Sequence, residues 1–352
     1  MYTNMKNKLI KRNKKDINQT VAEITKEIKS PLRKDTIDFS KVVSTGSLLL
    51  DLAISGKRIK GGGIPGGIIV EIFGPSSCGK TAILAELAAS IQSKGGEVKF
   101  LDPEARLDQE YCKIYGVELA KENYKRPDTV NEMFSEIWEW EPKQEKQINI
   151  VAADSLAALS TEMEMEDRDK MGMKRAKDFS EGLRKTCRRI AKNKWLIACT
   201  NQEREGQTGV VTPGGKGISY YSSLRIRVLP GFPKSKIKKQ RKIKSGKMVE
   251  KIIGIQSVCE IKKSSIDEPF RKASMSIIFG YGIDDVRDQL QYFKEITGEK
   301  KYNCFDEEVL SIEKAIKYIE ENNYIGKLKE RTINLWQEVE NSFEQDRKVK
   351  LR

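Results

Sequence analysis

The sequence predicts an α/β protein. A mostly parallel central sheet with helices on both faces follows a helical N-terminal arm and precedes a small C-terminal helical domain. Three observations carry this prediction. Apolar runs of strand length alternate with helical stretches over residues 36–283, one G-x-x-x-x-G-K-T motif joins a strand to a helix, and residues 284–352 show only helical patterns. With 352 residues, 38% of them hydrophobic, the chain suffices for one large domain with smaller appendages.

The elements follow in order. Residues 1–15 form a basic arm, and Ile17, Val21, Ile24 and Ile28 then share one face of a short helix ended before Pro31, so residues 1–35 are read as one unit. The strand candidates in the core, 36–283, are "IIVEIF", "EVKFLD", "INIVAAD", "WLIACTN", "LRIRVL", "IIGIQSVCEI" and "SMSIIFG". The last three follow one another without long helices, which predicts an antiparallel edge. Beyond residue 284, "DDVRDQLQYFKEI", "VLSIEKAIKYIEENN" and "KLKERTINLWQEVENSF" read as helices. Three stretches resist a packed assignment: "TEMEMEDRDKMGM" (161–173), "EREGQTGVVTPGGKG" (203–217) and "KSKIKKQRKIKSGK" (234–247). The first two leave neighbouring strand ends, where an open α/β sheet places its ligand loops.

Composition narrows the chemistry. A net charge of +14 favours a polyanionic partner, nucleic acid being the commonest, although a merely lysine-rich soluble surface has the same composition. The chain has no histidine, which removes Ser-His-Asp and Cys-His catalysis and histidine-based zinc sites. Six scattered cysteines without a C-x-x-C pair suit a reducing compartment and argue against zinc and disulfides. No apolar run approaches the roughly 20 residues of a membrane span, and the N-terminus lacks a secretory apolar core. The expectation is a soluble cytoplasmic protein.

"GPSSCGKT" supplies the first site: Gly74, Pro75, Ser76, Ser77, Cys78, Gly79, Lys80 and Thr81, between the runs "GGIIVEI" and "AILAELAASIQ". Strand, Gly-rich loop and helix together are the context in which backbone N–H groups cradle phosphates. Lys80 is expected to reach the β- and γ-phosphates of ATP, and the Thr81 hydroxyl to ligand Mg²⁺. Asp154, ending the apolar run "NIVAAD", fits the second metal carboxylate; the alternative is an Asp capping the next turn. Two strand ends add candidates for orienting water. In "KFLDPEARLD" the choice lies between Asp102 and Glu104, with Glu104 preferred, and in "ACTNQEREG" Gln202 leads directly into the Gly-rich stretch.

The chain resembles the RecA recombinase family. "VSTGSLLLDLAISG", "GGIPGGIIVEIFGPSSCGKT", "FLDPEARLDQEYCKIYGVE", "VAADSLAAL", "TNQ", "TPGGKGISYYSS" and "EPFRKASMSIIFGYGID" fall in that family's order over roughly residues 40–290. The resemblance implies a RecA-like P-loop ATPase core. It implies an ATP-dependent recombinase that forms a helical filament on single-stranded DNA, pairs it with homologous duplex and exchanges strands. It makes Glu104 the water-activating residue, and Asp108 and Tyr111 the adenine contacts, with Phe279 near the base. It places DNA contacts in two loops, about 162–173 and about 203–216. Met171, beside Gly172, and Val210 or Val211 would wedge between bases, while Lys174, Arg175, Arg184, Gly214 and Gly215 would meet phosphates. Read without the resemblance, Met171 is a core residue and Arg184 a solvated helix face.

Three departures from the family pattern stand out. The second loop is short and starts with Glu203, Arg204 and Glu205. Where the family presents two spaced lysines to the ATP of the adjacent subunit, this chain has Lys263 and then Ser265, with Lys262 as a possible substitute. The sequence ends "EQDRKVKLR" without the acidic tail common in bacterial members, which predicts tighter duplex capture. The lysine run 234–247 is not explained by the resemblance. It is expected as a hairpin whose charges either feed duplex DNA inward or are simply solvated. The N-terminal apolar stripe packs either on its own domain or, as in the family, on the next subunit. A ring-forming helicase or translocase, and a mediator that binds ATP but hardly turns it over, are the competing functions.

Overall fold

All seven apolar runs become strands of one sheet, because β-rich apolar segments of this length bury both faces only between layers of helix. A computed structural model of the chain describes residues 39–344, apart from 106, 108, 166–172, 207–208 and 232–234. The chain divides into Met1–Thr36 and Ile37–Arg352, and only the second unit contains described residues. The N-terminal arm and its apolar stripe, Asp108, Met171, Gly172 and the last eight residues therefore lie outside the described residues.

In chain order the elements begin with β1 (Val42–Val43), α1 (Leu48–Ser55), β2 (Ile64–Pro65), β3 (Ile68–Gly74), α2 (Lys80–Ser93), β4 (Val98–Leu101) and α3 (Gln109–Tyr115). There follow β5 (Tyr124–Lys125), α4 (Val130–Glu139), β6 (Ile150–Ala153), α5 (Glu162–Met165), α6 (Met173–Asn193) and β7 (Leu196–Gln202). Next come β8 (Arg204–Gly206), β9 (Gly209–Val211), α7 (Lys216–Tyr221), β10 (Leu224–Pro230), β11 (Lys236–Lys242), β12 (Met248–Ser264), β13 (Lys272–Ile278) and β14 (Gly282–Ile283). The chain closes with α8 (Asp285–Thr297), β15 (Tyr302–Asn303), β16 (Glu308–Val309), α9 (Ile312–Glu321) and α10 (Ile325–Ser342).

The main sheet runs β14-β13-β12-β10-β3-β7-β6-β4-β5, with β11 added to β12. From β10 to β5 every pairing is parallel, whereas β10–β12, β12–β13 and β13–β14 are antiparallel, as the lack of intervening helices requires.

Side-chain alternation along β3 shows how the layers form. Ile68, Val70 and Ile72 face a cluster that includes Ile83, Leu84, Leu87 and Ile91 of α2. Ile69 points the other way, into a cluster with Val130, Met133, Phe134 and Ile137 of α4 and Phe179 and Leu183 of α6. The α4 start is fixed by a reciprocal cap, in which the Thr129 hydroxyl accepts from Glu132 N–H while the Glu132 carboxylate accepts from Thr129 N–H. The C-terminal helices hold their own cluster around Leu290, Ile319 and Leu328. A further cluster joins Trp336 and Ile333 of α10 to Leu48 and Leu52 of α1. Because parallel strands end on the same side, β3, β4, β6 and β7 deliver the P-loop, Glu104, Asp154 and Gln202 to one rim of the sheet.

Candidate nucleotide site and the loops beside it

The Gly-rich loop turns from β3 into α2 at Gly79, whose φ of 95° is left-handed and whose missing Cβ would lie 2.3 Å from Ile277 Cδ1. Any side chain there would collide with β13. Ser76 and Ser77 are exposed on the crown of the loop, while Cys78 is buried and its thiol donates to Pro75 O at 2.9 Å. Burial pushes that thiol above its usual pKa, so Cys78 is a packing residue rather than a nucleophile. Lys80 Nζ is folded over the loop, donating to Gly74 O at 3.1 Å and Pro75 O at 2.6 Å.

Asp154 follows β6 directly and accepts from Thr81 Oγ1 at 2.6 Å, while its other oxygen accepts from the Thr200 hydroxyl. Burial is the main cause of its raised pKa. Among the described residues no lysine or arginine pairs with it. A half-buried carboxylate held, among the described residues, by two hydroxyls, one of them at the start of the helix after the Gly-rich loop, is a donor set that fits a hard divalent cation sharing phosphate and water oxygens. Ser155, the next residue, donates to Glu104 Oε1 at 2.9 Å. Asp102 serves differently: buried, it accepts from Leu107 N–H at 2.9 Å and Tyr124 OH at 2.7 Å, fixing the loop that carries Glu104.

The Gly-rich loop, Thr81, Glu104, Asp154 and Ser155 line a cavity of about 650 Å³ that is also lined by Gln202, Tyr111, Tyr115 and Phe279, a volume within the usual range for small-ligand sites. The Tyr111 and Tyr115 rings meet at a tilt of 47°, 5.0 Å between centroids, and burial raises both hydroxyl pKa values. Phe279 is 60% exposed at the rim. A second cavity of about 770 Å³ opens at the opposite ends of the strands, beside Gly66, Ile148 and Trp195, without a Gly-rich loop.

From Gln202 the chain enters a two-stranded hairpin, β8–β9, in which Glu205 faces Val210 and Arg204 faces Val211. Sequence patterning gave no packed assignment here because each strand has only three residues and the pairing is internal to the loop. Val210 and Val211 are each 47% exposed. Both ends of the hairpin are anchored. Glu203 N–H donates to Gly74 O at 3.2 Å, and the Glu203 carboxylate pairs with Arg227 at 2.9 Å. At the far end Asn201 Nδ2 donates to Pro213 O at 3.0 Å and to Glu71 Oε1 at 3.0 Å, while Asn201 Oδ1 accepts from Gln202 N–H at 3.0 Å. Glu71 is fully buried and accepts from Arg225 Nε at 2.6 Å. Gly214 and Gly215 lead into α7; a Cβ on Gly215, φ 75°, would lie 2.7 Å from Ala176 Cβ of α6.

On α6, Lys174 pairs with Asp178 at 3.0 Å and Arg184 is exposed. Arg175 points inward, donating to Ala157 O at 2.8 Å and Leu156 O at 3.3 Å, and burial lowers its pKa. Lys263 lies outside the cavity. Its ammonium donates to Ser219 O at 3.0 Å and Tyr220 O at 2.8 Å in the last turn of α7, where a cation complements the helix dipole. Lys262 is the more exposed of the two, with Glu260 at 3.4 Å. Ser265 Oγ donates to Ser223 O.

Sequence reasoning missed Thr200, Ser155, Glu71, Asn201 and Arg225. Thr200 was detectable, since it sits two residues before Gln202 and therefore on the same face of β7. The trio Glu71, Asn201 and Arg225 carried no local signal, because its members come from three different strands.

Comparison with known proteins bears on the family to which the chain belongs. The family model for the RecA N-terminal domain matches residues 13–284. The protein named Protein RecA of Thermus aquaticus is 36% identical over 255 residues, covering 70% of this chain and 69% of that protein. That of Clostridium novyi (strain NT) is 35% identical over 251 residues, 69% of this chain and 66% of that protein. That of Gloeothece citriformis (strain PCC 7424) is 31% identical over 307 residues, 83% and 80% of the two chains. No helix among the described residues is long and apolar enough to cross a membrane. With the family match spanning most of the chain and the phosphate loop, acidic pair and hairpin converging on one rim, the chain belongs to the RecA family.

Proposed function

We propose that the protein is an ATP-dependent DNA recombinase that assembles into a helical filament on single-stranded DNA, pairs it with homologous duplex and exchanges strands. The observation that carries this reading is the shared acceptor Gly74 O. It takes a hydrogen bond from Lys80, the phosphate lysine, and another from Glu203, the residue that leads into the hairpin. A nucleotide site and a candidate DNA loop thus meet at one backbone atom.

Bound Mg²⁺ and ATP supply the phosphoanhydride and the charge neutralisation that its cleavage needs. The chain's own residues do the rest. Thr81 and Asp154 would hold the metal, Lys80 would turn from the loop carbonyls toward phosphate oxygens, and Tyr111 would offer the adenine a face. Glu104, held by Ser155, orients the attacking water and accepts its proton. Gln202 reads the terminal phosphate and passes the change through Asn201 and Glu203 to the hairpin. Val210 and Val211 separate bases, while Lys174, Arg184 and the backbone N–H groups of Gly214 and Gly215 meet phosphates. Arg175 joins them if it leaves the carbonyls after Asp154. Lys263, or Lys262 in its place, serves the ATP of the adjacent protomer, and the reaction belongs to the cytoplasm.

The test is a strand-exchange assay with the full chain, a circular single strand, homologous linear duplex and ATP. Joint molecules that require both homology and ATP are expected. Unwinding that is indifferent to homology would instead establish a translocase, and DNA binding with neither product a mediator.

A further inference from the structure

The basic run that neither the nucleotide cavity nor the two loops absorb folds as a two-stranded ribbon. It consists of β11 and the first residues of β12, closed by a turn in which Ile243 N–H donates to Lys247 O at 3.0 Å. Residues 235–252 hold eight lysines and arginines and one carboxylate, Glu250. The register sorts these charges. Cross-strand partners share a face, and the pairs Lys238↔Ile252, Gln240↔Glu250 and Lys242↔Met248 form one side. On that side Glu250 is consumed: it accepts from Lys238 Nζ at 2.7 Å and Gln240 Nε2 at 3.2 Å, and Lys238 holds its pKa below the usual range.

The other side pairs Lys239 with Lys251 and Arg241 with Val249. Two lysines thus stand directly opposite each other with an arginine diagonal to them, and among the described residues no carboxylate pairs with any of the three. Like charges in that position destabilise a ribbon unless an anion lies across them.

We propose that the face bearing Lys239, Arg241 and Lys251 is a docking rail for the phosphate backbone of duplex DNA, separate from the two loops. The proposal rests on the recombinase reading for its biological use. Charge complementarity selects the occupant. Seven strand residues extend about 24 Å at about 3.4 Å each, a length over which a duplex presents roughly fourteen negative charges. The ribbon has no aromatic residue between 235 and 252 on which unpaired bases would stack, so the backbone of a stiff duplex fits it better than a single strand. The competing role for these lysines is to block edge-to-edge strand pairing, which needs charge but no sorting between faces.

The experiment compares two triple variants with equal loss of charge, Lys239→Ala/Arg241→Ala/Lys251→Ala and Lys236→Ala/Lys238→Ala/Lys242→Ala. Affinity for a labelled duplex is measured by anisotropy across salt concentrations. The first variant should lower the slope of log K against log salt by about 2–3, so that the affinity lost between about 50 and 200 mM salt shrinks about forty-fold relative to parent. The second should lower it by less than about one. Lys239→Arg/Lys251→Arg should restore the parental slope, and thermal melts should match in all. Equal slopes for the two alanine variants, or aggregation with unchanged duplex binding, would overturn the rail in favour of a diffuse field or edge protection. Single-strand-stimulated ATP turnover is read in parallel. Its absence in the parent would overturn the recombinase reading, while the slope comparison still decides the rail.

Discussion

Glu203 N–H and Lys80 Nζ donate to the same oxygen, the carbonyl of Gly74, at 3.2 and 3.1 Å. A carbonyl has two lone pairs, so both bonds form together, but each donor feels the position of the other. Movement of Lys80 toward a phosphate leaves Glu203 as the sole donor to Gly74 O among the described bonds. Gln202 lies between these two anchor points, with its N–H held by Asn201. The start of the hairpin is therefore fastened to the phosphate loop by backbone and to the sheet interior by side chain.

This arrangement predicts that Gln202→Ala separates turnover from DNA sensing. Basal ATP hydrolysis should persist, whereas the acceleration by single-stranded DNA should fall about 5–150-fold, the usual size of a coupling between two sites. A coupled phosphate-release assay with and without DNA measures both. Undiminished acceleration would remove Gln202 from the path.

Glu104 and Asp102 end the same strand yet should fail differently when altered. If Glu104 is the proton acceptor proposed above, Glu104→Gln should lower turnover about 10²–10⁴-fold with nucleotide binding kept. Asp102→Asn should act mainly on stability, since Asp102 holds Leu107 N–H and Tyr124 OH rather than lining the cavity. Fluorescent-nucleotide titration beside single-turnover kinetics separates the two outcomes.

Much of this rim was legible in sequence because its signals are local. The P-loop is one contiguous motif, and Asp154, Glu104 and Gln202 each end an apolar strand whose period is visible in a few residues. The sheet's parallel half follows from alternation with helices, and its antiparallel edge from their absence. What stayed hidden depends on pairings between distant segments. Glu71 meets Asn201 and Arg225 across separations of 130 and 154 residues. The sorting of the lysine run depends on a register shift between Ile237 and Lys238, which no periodicity in β11 reveals. Equally, nothing local marked Arg175 as turned toward the carbonyls after Asp154, rather than outward like Arg184.

The Glu71–Arg225 pair yields a stability prediction. Glu71 is fully buried and Arg225, mostly buried, also lies over the Phe73 ring at 4.5 Å. Arg225→Ala leaves a buried carboxylate without its cation and should cost about 3–5 kcal/mol in urea unfolding. Adding Glu71→Gln should recover a substantial part, because the residual buried charge is then gone while an acceptor for Asn201 remains. Equal stabilities of the single and double variants would show that lost packing on Phe73, not charge, dominates.

The last prediction concerns pH. Asp288 of α8 is buried, with Ser276 N–H and the Ser276 hydroxyl donating to its two oxygens at 2.8 and 2.6 Å. Burial, with the nearby Asp285 and Asp284 adding repulsion, raises its pKa from 3.8 to about 8 despite those bonds. The folded state therefore binds a proton that the unfolded chain has released. The stabilisation this gives is complete below the unfolded value of 3.8 and is lost as pH rises through about 8. Asp288→Asn keeps an acceptor for Ser276 and has no proton to lose. Thermal melts from about pH 6 to about pH 9 should show the parent losing more stability than the variant, the difference opening on the alkaline side. If the two curves stay parallel, Asp288 is neutral or charged throughout that range, and the alkaline loss must come from another group, Asp51 first, whose buried carboxyl is raised to about 7.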